Sequence, residues 1–365
     1  MKRVLCIIDS LGPGGAQRQL VGLAHFLKED GYDVVVATYH DNRFYVDQLL
    51  SGGVPYVYVK KAQKGLLRQW HLLRYIQKVQ PDVVISYLEA PSIRACVAHL
   101  CYRRFKLIVS ERNTTQHTGC AEIVRFNIFR LADYVVPNAF SQTRYINTRF
   151  PFLADKTVTI TNFVDLIHFI PPSIRLRHEI PEIVVVASIW ASKNTLGFID
   201  AVSILHNAGI RFHISWYGKV DSSIHYYNQC KQKIVSLGVG DVIELKEKTN
   251  EIKKCYQEAD YFCLPSFYEG TPNVICEAMA CGLPVACSDV CDNGRYVIEN
   301  ENGFLFDPGS PDSIAAALLR MLDLSGVDYA QYCLNSRLKA EQLLSKERFV
   351  ESYKSLIEKC ALKEK

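Results

Sequence analysis

Residues 261–287, YFCLPSFYEGTPNVICEAMACGLPVAC, follow the order strand, loop, helix, strand. Residues 261–265 are apolar and aromatic and end at a proline, which is typical of a short buried strand. Thr271 can cap a helix whose first residue is a proline, so a helix is expected over 272–280. A second apolar strand is expected over 283–287. Two strands joined through a helix form the unit of a parallel sheet, so the stretch predicts an α/β fold.

Two glutamates flank the start of this predicted helix, Glu269 in the loop and Glu277 within the helix. Gly270 permits the tight turn between them, and Gly282 is the expected end of the helix. Ligands of parallel sheets bind near such helix starts, where backbone N–H groups favour phosphate. A carboxylate only accepts hydrogen bonds, so both glutamates suit hydroxyl groups. A nucleotide sugar has a central diphosphate and hydroxyl-rich ends and fits both features. The alternative is that both are solvated surface charges.

Length and composition indicate a two-domain protein. The chain has 365 residues, 48% hydrophobic and 22% charged, which is ordinary for a soluble globular protein but long for one core. No apolar run reaches the length of a transmembrane helix. The start, MKRVLCIIDS, continues into a glycine loop, so it is expected to be a first strand and not a signal peptide. A cytoplasmic location is the expectation.

The cysteines indicate neither disulfides nor a zinc site. Their number, 13, is odd, most lie in apolar segments, and no CxxC pair occurs. This usage fits a reducing cytoplasm, where the sequon at residues 113–115 is expected to be silent.

Basic residues are in excess over residues 1–170 and acidic residues over 171–365. Basic and apolar side chains interleave around the predicted helix 66–79. The basic set is Lys60, Lys61, Lys64, Arg68, Arg74 and Lys78, with Arg103, Arg104 and Lys106 later, and the apolar set is Leu66, Leu67, Trp70, Leu72, Leu73, Tyr75 and Ile76. A basic amphipathic helix can lie on an anionic membrane surface; the alternative is a surface helix whose apolar stripe packs on its own sheet. Nucleic acid is not an expected partner, because no recognised nucleic-acid motif accompanies the charge.

Predicted strands and helices alternate through both halves of the chain. The first half has predicted strands at 2–9, 33–38, 54–59, 82–87, 106–110, 133–137 and 157–160, and helices at 16–28, 66–79, 91–101, 121–131 and 140–149. The second half has further strands at 182–188, 212–217 and 241–245, and helices at 194–208, 223–236, 250–258, 311–322 and 346–362. Residues 161–182 contain three prolines and no clean period, which predicts an interdomain linker. Two doubly wound domains are expected.

A glycine loop, with Gly12, Gly14 and Gly15, separates the first strand from the first helix. Such a loop lets backbone N–H groups approach a phosphate or a sugar. It is similar to the dinucleotide fingerprint GxGxxG, but Gln17 stands at the third glycine position, so the indication of NAD is weak. A plain tight turn is the alternative.

Four stretches together resemble the retaining glycosyltransferases of GT-B family 4, which include bacterial sugar transferases for lipopolysaccharide, capsule and glycolipids. They are GPGGAQRQL (12–20), TNFVDLIHF (161–169), ADYFCLPSFYEGTPNVICEAMACGLPVACSD (259–289) and NGFLFDPGSPDSIAAAL (302–318). The resemblance covers nearly the whole chain and implies two Rossmann-like domains facing a central cleft. The implied parts are an acceptor domain at 1–165, a linker at 166–182, a nucleotide-sugar domain at 183–345, and a last segment at 346–365 that crosses back to the first domain.

The resemblance also implies roles for particular residues. Glu269 would face the anomeric centre of the donor sugar, and Glu277 would accept hydrogen bonds from the ribose. Lys193, within WASKNT, would lie on the diphosphate, where a fixed ammonium stabilises the charge gained by the leaving nucleoside diphosphate. The implied donor-binding set is Gly14, Gly15, Ser188, Gly270, Thr271, Asn273, Val274 and Glu277. Neither a metal nor another cofactor is implied, and the sequence has no DxD motif.

Three positions depart from the family pattern. Ser188 stands where an arginine is frequent, and Lys246 stands where a glycine is frequent near the nucleobase. Arg112, within SERNTTQH, replaces a frequent histidine. Arg112 is therefore a third candidate catalytic residue, able to supply a charge from the first domain.

The predicted function is transfer of a hexose or N-acetylhexosamine from a nucleotide diphosphate sugar, with UDP as the expected nucleotide, to a hydroxyl of a polyprenyl-linked or glycan acceptor. Retention of anomeric configuration is expected through same-face attack. A double displacement needs two carboxylates close together across the anomeric carbon, whereas Glu269 and Glu277 address different ends of the donor. The alternatives are a nucleotide-sugar-binding protein without catalysis, and a UDP-sugar epimerase or a phosphorylase on the same fold.

Overall fold

The computed structural model describes residues 1–59, 65–115, 118–220 and 224–362. Lys60, Lys61 and Lys64 of the predicted basic set lie outside the described residues. The chain divides into two compact units. Unit 1 comprises residues 1–163 and 346–365, and unit 2 comprises residues 164–345.

The sheet of unit 1 has six parallel strands in the order β3-β2-β1-β4-β5-β6. The strands are β1 (Arg3–Ile7), β2 (Asp33–Thr38), β3 (Tyr56–Tyr58), β4 (Val83–Tyr87), β5 (Lys106–Glu111) and β6 (Tyr134–Pro137). The helices that connect them are α1 (Gly15–Glu29), α2 (Val46–Ser51), α3 (Gly65–Val79), α4 (Glu89–Cys101), α5 (Cys120–Ile128) and α6 (Phe140–Arg149). All five residues of β4 are buried, as expected for a strand covered by helices on both faces. The strand order reverses between β1 and β4, where α/β proteins bind ligands.

The sheet of unit 2 also has six parallel strands, in the order β12-β11-β10-β7-β8-β9. The strands are β7 (Glu182–Val186), β8 (His213–Tyr217), β9 (Ile243–Lys246), β10 (Tyr261–Leu264), β11 (Val285–Ser288) and β12 (Gly303–Phe306). The helices are α7 (Thr195–Asn207), α8 (Ile224–Leu237), α9 (Ile252–Glu258), α10 (Asn273–Ala280), α11 (Asn293–Tyr296), α12 (Pro311–Leu322) and α13 (Gly326–Leu344). Cys263 in the middle of β10 pairs with Val185 of β7 and Ala286 of β11, so the predicted strand of the opening stretch is central to the sheet.

The chain ends in α14 (Lys346–Leu362), which belongs to unit 1. The hydroxyl of Tyr87 donates to the hydroxyl of its buried Tyr353 at 2.9 Å, and its Phe349 ring lies 5.0 Å from that of Phe163. This helix closes the apolar core on one face of the unit 1 sheet. Within the described ranges, no helix is both long enough and apolar enough to cross a membrane.

Several local expectations are corrected by the structure. The segment expected as a strand at 157–160 is not a full strand: it makes one isolated bridge from Thr157 to Val135, although the N–H groups of Val158 and Ile160 donate to the carbonyls of Val135 and Pro137 at 2.9 and 3.0 Å. The helix expected from Pro272 begins instead at Asn273, since Pro272 has a ψ of 83° and is itself the N-cap. Gly282 ends the helix as expected, with a φ of +74° that favours glycine.

Residues 166–182, expected to be an interdomain linker, belong to unit 2 and pack on it. The backbone N–H of Val164 donates to the carbonyl of Leu344 at 2.9 Å. The Arg175 guanidinium donates to the carbonyls of Ala259 and Cys281, and Phe169 is buried in the unit 2 core. This segment is therefore anchored by hydrogen bonds and apolar contacts despite its three prolines.

Candidate active site

Lys193 and Glu269 meet at the carboxyl edge of the unit 2 sheet. Lys193 lies in the loop after β7 and Glu269 in the loop after β10, and these two strands are paired neighbours. The two loops are joined by a backbone hydrogen bond from Phe267 to Ser192 at 3.0 Å. The Nζ atom of Lys193 lies 2.6 Å from Oε1 of Glu269, with the two side chains 23% and 13% exposed. A largely buried ammonium–carboxylate pair thus lies where ligands of parallel sheets bind.

Ser188 lies on the Lys193 loop, five residues earlier in the chain, and is half-buried. Its carbonyl accepts a hydrogen bond from the N–H of Trp190 at 3.0 Å, which helps shape the loop. Asn194 ends the loop in the left-handed region, with a φ of +56°, and donates through its side-chain amide to the carbonyl of Pro308 at 2.6 Å. The loop that presents Lys193 is therefore fixed at both ends.

Helix α10 begins directly after the Glu269 loop, and its first turn carries no acidic residue. Gly270, Thr271, Asn273 and Val274 form the approach and the first turn, and Thr271 is buried. The start of a helix carries partial positive charge, and a first turn without carboxylates keeps that charge available to a diphosphate. Glu277 lies further along α10 and is 4% exposed. The Tyr256 hydroxyl donates to Oε2 of Glu277 at 3.2 Å.

In unit 1, Gly14 and Gly15 stand at the start of α1. Gly14 is the N-cap, with extended backbone, and Gly15 is the first helical residue. No acidic side chain lies in the first turn. A Cβ atom added at Gly14 would meet the amide oxygen at the end of the flexible Gln17 side chain. A helix start without acidic side chains in its first turn has a local charge that favours an anionic ligand.

Arg112, also in unit 1, follows β5 and contacts three side chains. Its guanidinium donates to Oδ1 of Asn162 at 2.7 Å and to the hydroxyl of Tyr353 at 2.8 Å, and it lies over the ring of Tyr87 at 4.0 Å. Tyr353 belongs to α14, so Arg112 ties the end of β5 to the last helix. Its catalytic role stays a prediction, and the geometry adds a structural role that the sequence did not indicate.

We expect Arg112→Ala to lower the free energy of unfolding by about 1–3 kcal/mol, because two buried acceptors, on Asn162 and Tyr353, each lose one hydrogen-bond donor. Urea unfolding measures this loss. Tyr353→Phe is the matched control, since it removes the acceptor on α14 and keeps the guanidinium. If the folded Arg112→Ala protein turns over substrate as fast as wild type, Arg112 has no part in the chemistry. A loss of turnover in Arg112→Ala that Tyr353→Phe does not share would support the catalytic role.

A buried carboxyl group, Glu111, was missed by sequence reasoning. Glu111 is the last residue of β5 and is 1% exposed, and burial raises its pKa to about 7 although the Arg125 guanidinium opposes the shift. Nε of Arg125 lies 3.7 Å from Oε2 of Glu111, and Arg125 also pairs with Glu89. A buried guanidinium requires an anionic partner, but no signal in the sequence indicated that Arg125 is buried, because its helix neighbours Val124 and Asn127 are exposed.

Lys246, the third departure from the family pattern, ends β9. Its Nζ atom donates to the hydroxyl of Ser215 at 3.0 Å and lies 3.1 Å from a carboxylate oxygen of Glu244. Within the described parts of the chain, no group of three or more His, Cys, Asp or Glu side chains is arranged to hold a metal ion. The cysteines with described side chains are all free thiols.

Comparisons with known proteins agree with this architecture. Residues 13–168 match the family described as Glycosyltransferase Family 4, and residues 180–324 match the family described as Glycosyl transferases group 1. Together the two matches span most of the chain.

Two relatives and one solved structure are similar over long stretches. The Campylobacter jejuni GalNAc-alpha-(1->4)-GalNAc-alpha-(1->3)-diNAcBac-PP-undecaprenol alpha-1,4-N-acetyl-D-galactosaminyltransferase is 25% identical, over 92% of this chain and 92% of its own length. The Escherichia coli UDP-Gal:alpha-D-GlcNAc-diphosphoundecaprenol alpha-1,3-galactosyltransferase is 30% identical, over 46% of each chain. The structure of Anabaena Alr3699/HepE in complex with UDP has a TM-score of 0.85 at 18% identity and covers 98% of this chain and 100% of its own.

The two family matches and the two six-stranded parallel sheets lead to one assignment. The chain is a glycosyltransferase of the GT-B fold, with a Glycosyltransferase Family 4 domain in its first half and a Glycosyl transferases group 1 domain in its second.

Proposed function

We propose that this glycosyltransferase moves a hexose or an N-acetylhexosamine from a UDP-sugar to a hydroxyl of a polyprenyl-linked or glycan acceptor, in bacterial polysaccharide or glycolipid synthesis. The names of two relatives support this proposal, since both specify undecaprenol-linked acceptors. The UDP in the Anabaena structure supports the choice of nucleotide.

The observation that carries the donor part of the proposal is the Lys193–Glu269 pair beside the start of α10. The ammonium and the helix start can receive the diphosphate, and Glu269 then faces the sugar that the diphosphate carries. Glu277, further along the same helix, suits the ribose hydroxyls because a carboxylate only accepts hydrogen bonds. In this arrangement Glu269 faces the sugar, Lys193 and the start of α10 bind the diphosphate, and Glu277 binds the ribose. The charge on the leaving group is met by Lys193 and the helix start, so the proposed reaction is independent of a metal.

In the proposed reaction, the bond between the anomeric carbon and the β-phosphate oxygen breaks first, giving an ion pair. The acceptor oxygen then forms its bond to the anomeric carbon from the same face, which retains the anomeric configuration. The acceptor proton passes to the leaving phosphate oxygen, so no enzyme carboxylate acts as nucleophile. Lys193 stabilises the diphosphate as its negative charge grows.

The proposal includes peripheral contact of unit 1 with an anionic membrane, at the inner face of the plasma membrane, where a polyprenyl-linked acceptor would lie. Helix α3 supports it, because Leu72 and Ile76 pack into the core whereas Leu66 and Leu67 are 88% and 64% exposed. Arg74 and Lys78 are exposed basic residues of the same helix and would contact lipid headgroups. Failure of the wild-type protein to sediment with anionic vesicles would contradict this contact.

The test of the donor is a panel of UDP-, GDP-, ADP- and dTDP-sugars, read by thermal shift and by slow release of the nucleotide. We expect one nucleotide class to raise the unfolding temperature and to be hydrolysed slowly without acceptor, because ligand binding stabilises only the folded state. The corresponding free sugars serve as controls. A folded sample that no nucleotide sugar stabilises would overturn the proposed function. A thermal shift with a nucleotide other than UDP would change only the nucleotide of the proposed donor and leave the rest of the proposal in place.

A further inference from the structure

The carboxylate of Glu277 is held by the hydroxyl of Tyr256, a residue on a different helix. Tyr256 lies in α9 and Glu277 in α10, and both side chains are buried, with exposures of 0% and 4%. The Tyr256 hydroxyl donates to Oε2 of Glu277 at 3.2 Å. A buried carboxylate needs hydrogen-bond donors to remain ionised and in one orientation. The phenol supplies such a donor from a rigid ring.

The ring of Tyr256 is fixed by aromatic neighbours. Phe169 lies 6.2 Å from it at an interplanar angle of 60°, and Phe262 of β10 lies 5.9 Å from it at 67°. Both distances and angles are in the range in which aromatic pairs attract one another. Phe169 comes from the segment 164–182, so that segment sets the position of the tyrosine ring.

A single guanidinium joins the same segment to the helix that carries Glu277. Arg337 of α13 donates to the carbonyl of Phe169 at 2.8 Å and to the carbonyl of Ala280, at the end of α10, at 2.7 Å. It also donates to the carbonyl of Leu166 at 3.2 Å. A cation that binds the last carbonyls of a helix satisfies acceptors with no partner within the helix and complements the helix dipole. Phe169, Tyr256 and α10 are therefore held as one assembly.

We propose that Tyr256 is a positioning residue for the nucleotide, which orients the Glu277 carboxylate toward the ribose hydroxyls, and that the segment 164–182 holds Tyr256 in place through Phe169. This inference rests on the proposed function, in which Glu277 binds the ribose. Tyr256 acts through Glu277 and does not touch the donor. The specificity for a ribose with free hydroxyls then depends on a residue outside the ligand contacts.

The test is Tyr256→Phe, measured by calorimetric titration with UDP (or the nucleoside diphosphate that the panel selects) and with its 2′,3′-dideoxy analogue. We expect the variant to bind UDP about five- to tenfold more weakly, the net size of one typical intramolecular hydrogen bond. Its affinity for the dideoxy analogue is expected to match that of wild type, because this ligand has no ribose hydroxyl for Glu277 to bind. Turnover at saturating donor is expected to stay unchanged.

Three further variants calibrate the result. Glu277→Gln should show the same pattern with a larger loss for UDP, since it removes the charge itself. Tyr329→Phe removes another buried hydroxyl of unit 2, one that donates to the carbonyl of Asp260 at 3.3 Å, and should leave both affinities unchanged. Phe169→Leu keeps the Tyr256 hydroxyl and loosens its ring, so a smaller loss for UDP alone is expected.

Each outcome is decisive. Equal weakening of both ligands by Tyr256→Phe, or a fall in turnover, would mean that the tyrosine is only structural and would overturn the inference. Normal UDP binding by Tyr256→Phe, with wild type still preferring UDP to the dideoxy analogue, would overturn the positioning role and leave the proposed function intact. A wild type that binds both ligands equally well would remove the ribose role of Glu277, and with it the inference.

Discussion

Replacing Lys193 by methionine is expected to reduce turnover by about 100- to 1,000-fold, the loss that follows removal of one preorganised charge from a transition state. The ammonium lies 2.6 Å from Glu269, so it is already in place before the leaving diphosphate gains charge. Methionine keeps much of the length and apolar volume of the lysine stem. Initial rates at saturating UDP-sugar, by transfer or by slow hydrolysis, measure the effect.

A matched control exists in the same unit. Lys233 of α8 lies 2.6 Å from Asp200 of α7, and its side chain is 28% exposed, close to the 23% of Lys193. Lys233→Met therefore removes an ammonium of equal geometry away from the candidate site and should leave turnover unchanged. If Lys193→Met also retains wild-type turnover while remaining folded, the diphosphate is not stabilised by this residue.

Glu269→Gln is expected to lower turnover on the order of 100-fold, comparable to the loss of another electrostatic group in the site. The amide keeps the shape of the side chain and removes its negative charge. That negative charge stabilises the positive charge that develops at the anomeric carbon in the proposed reaction. It also accepts a hydrogen bond from the Lys193 ammonium. Nucleotide affinity is expected to change much less than turnover, because in the proposed function the carboxylate faces the sugar and not the nucleotide.

The measurements are single-turnover rates together with the affinity for UDP alone. Asp200→Asn, which disrupts the matched ion pair, is the control. Because Lys193 and Glu269 touch, the double variant should lose less than the product of the two single losses. A Glu269→Gln enzyme with full turnover and a raised KM for the donor would reassign this glutamate from the chemistry to donor binding.

Local patterns in the sequence predicted those elements whose burial is regular. The β10-α10-β11 unit was predicted because its strands are continuously apolar and its helix ends at a glycine with positive φ. Helix α13 was missed, since its buried residues include Tyr329, Ser336 and Ala340, and its apolar periodicity is weak. Strand β12 was missed because Gly303 and the following turn residues obscured a four-residue apolar run.

The candidate site was likewise only partly predictable from the sequence. Glu269 and Glu277 could be singled out from the sequence, because one lies just before a predicted helix start and the other lies just after it. Their contacts could not, since Lys193 is 76 residues from Glu269 and Tyr256 comes from a preceding helix. Arg112 could be singled out as a departure from the family pattern, but its bond to Tyr353 joins residues 241 apart.

The sequence by itself determined the class of fold, the alternation of strands and helices, and the loops in which the candidate site residues lie, because these depend on short-range periodicity, turn residues and helix ends. Only the tertiary structure decided that Lys193 pairs with Glu269, that Tyr256 holds Glu277, and that the predicted linker packs onto unit 2. These contacts follow from the order of strands in the sheet, which places loops distant in the chain at the same edge. Strand order is set by the free energy of burying the whole core, a property that no single stretch of sequence contains.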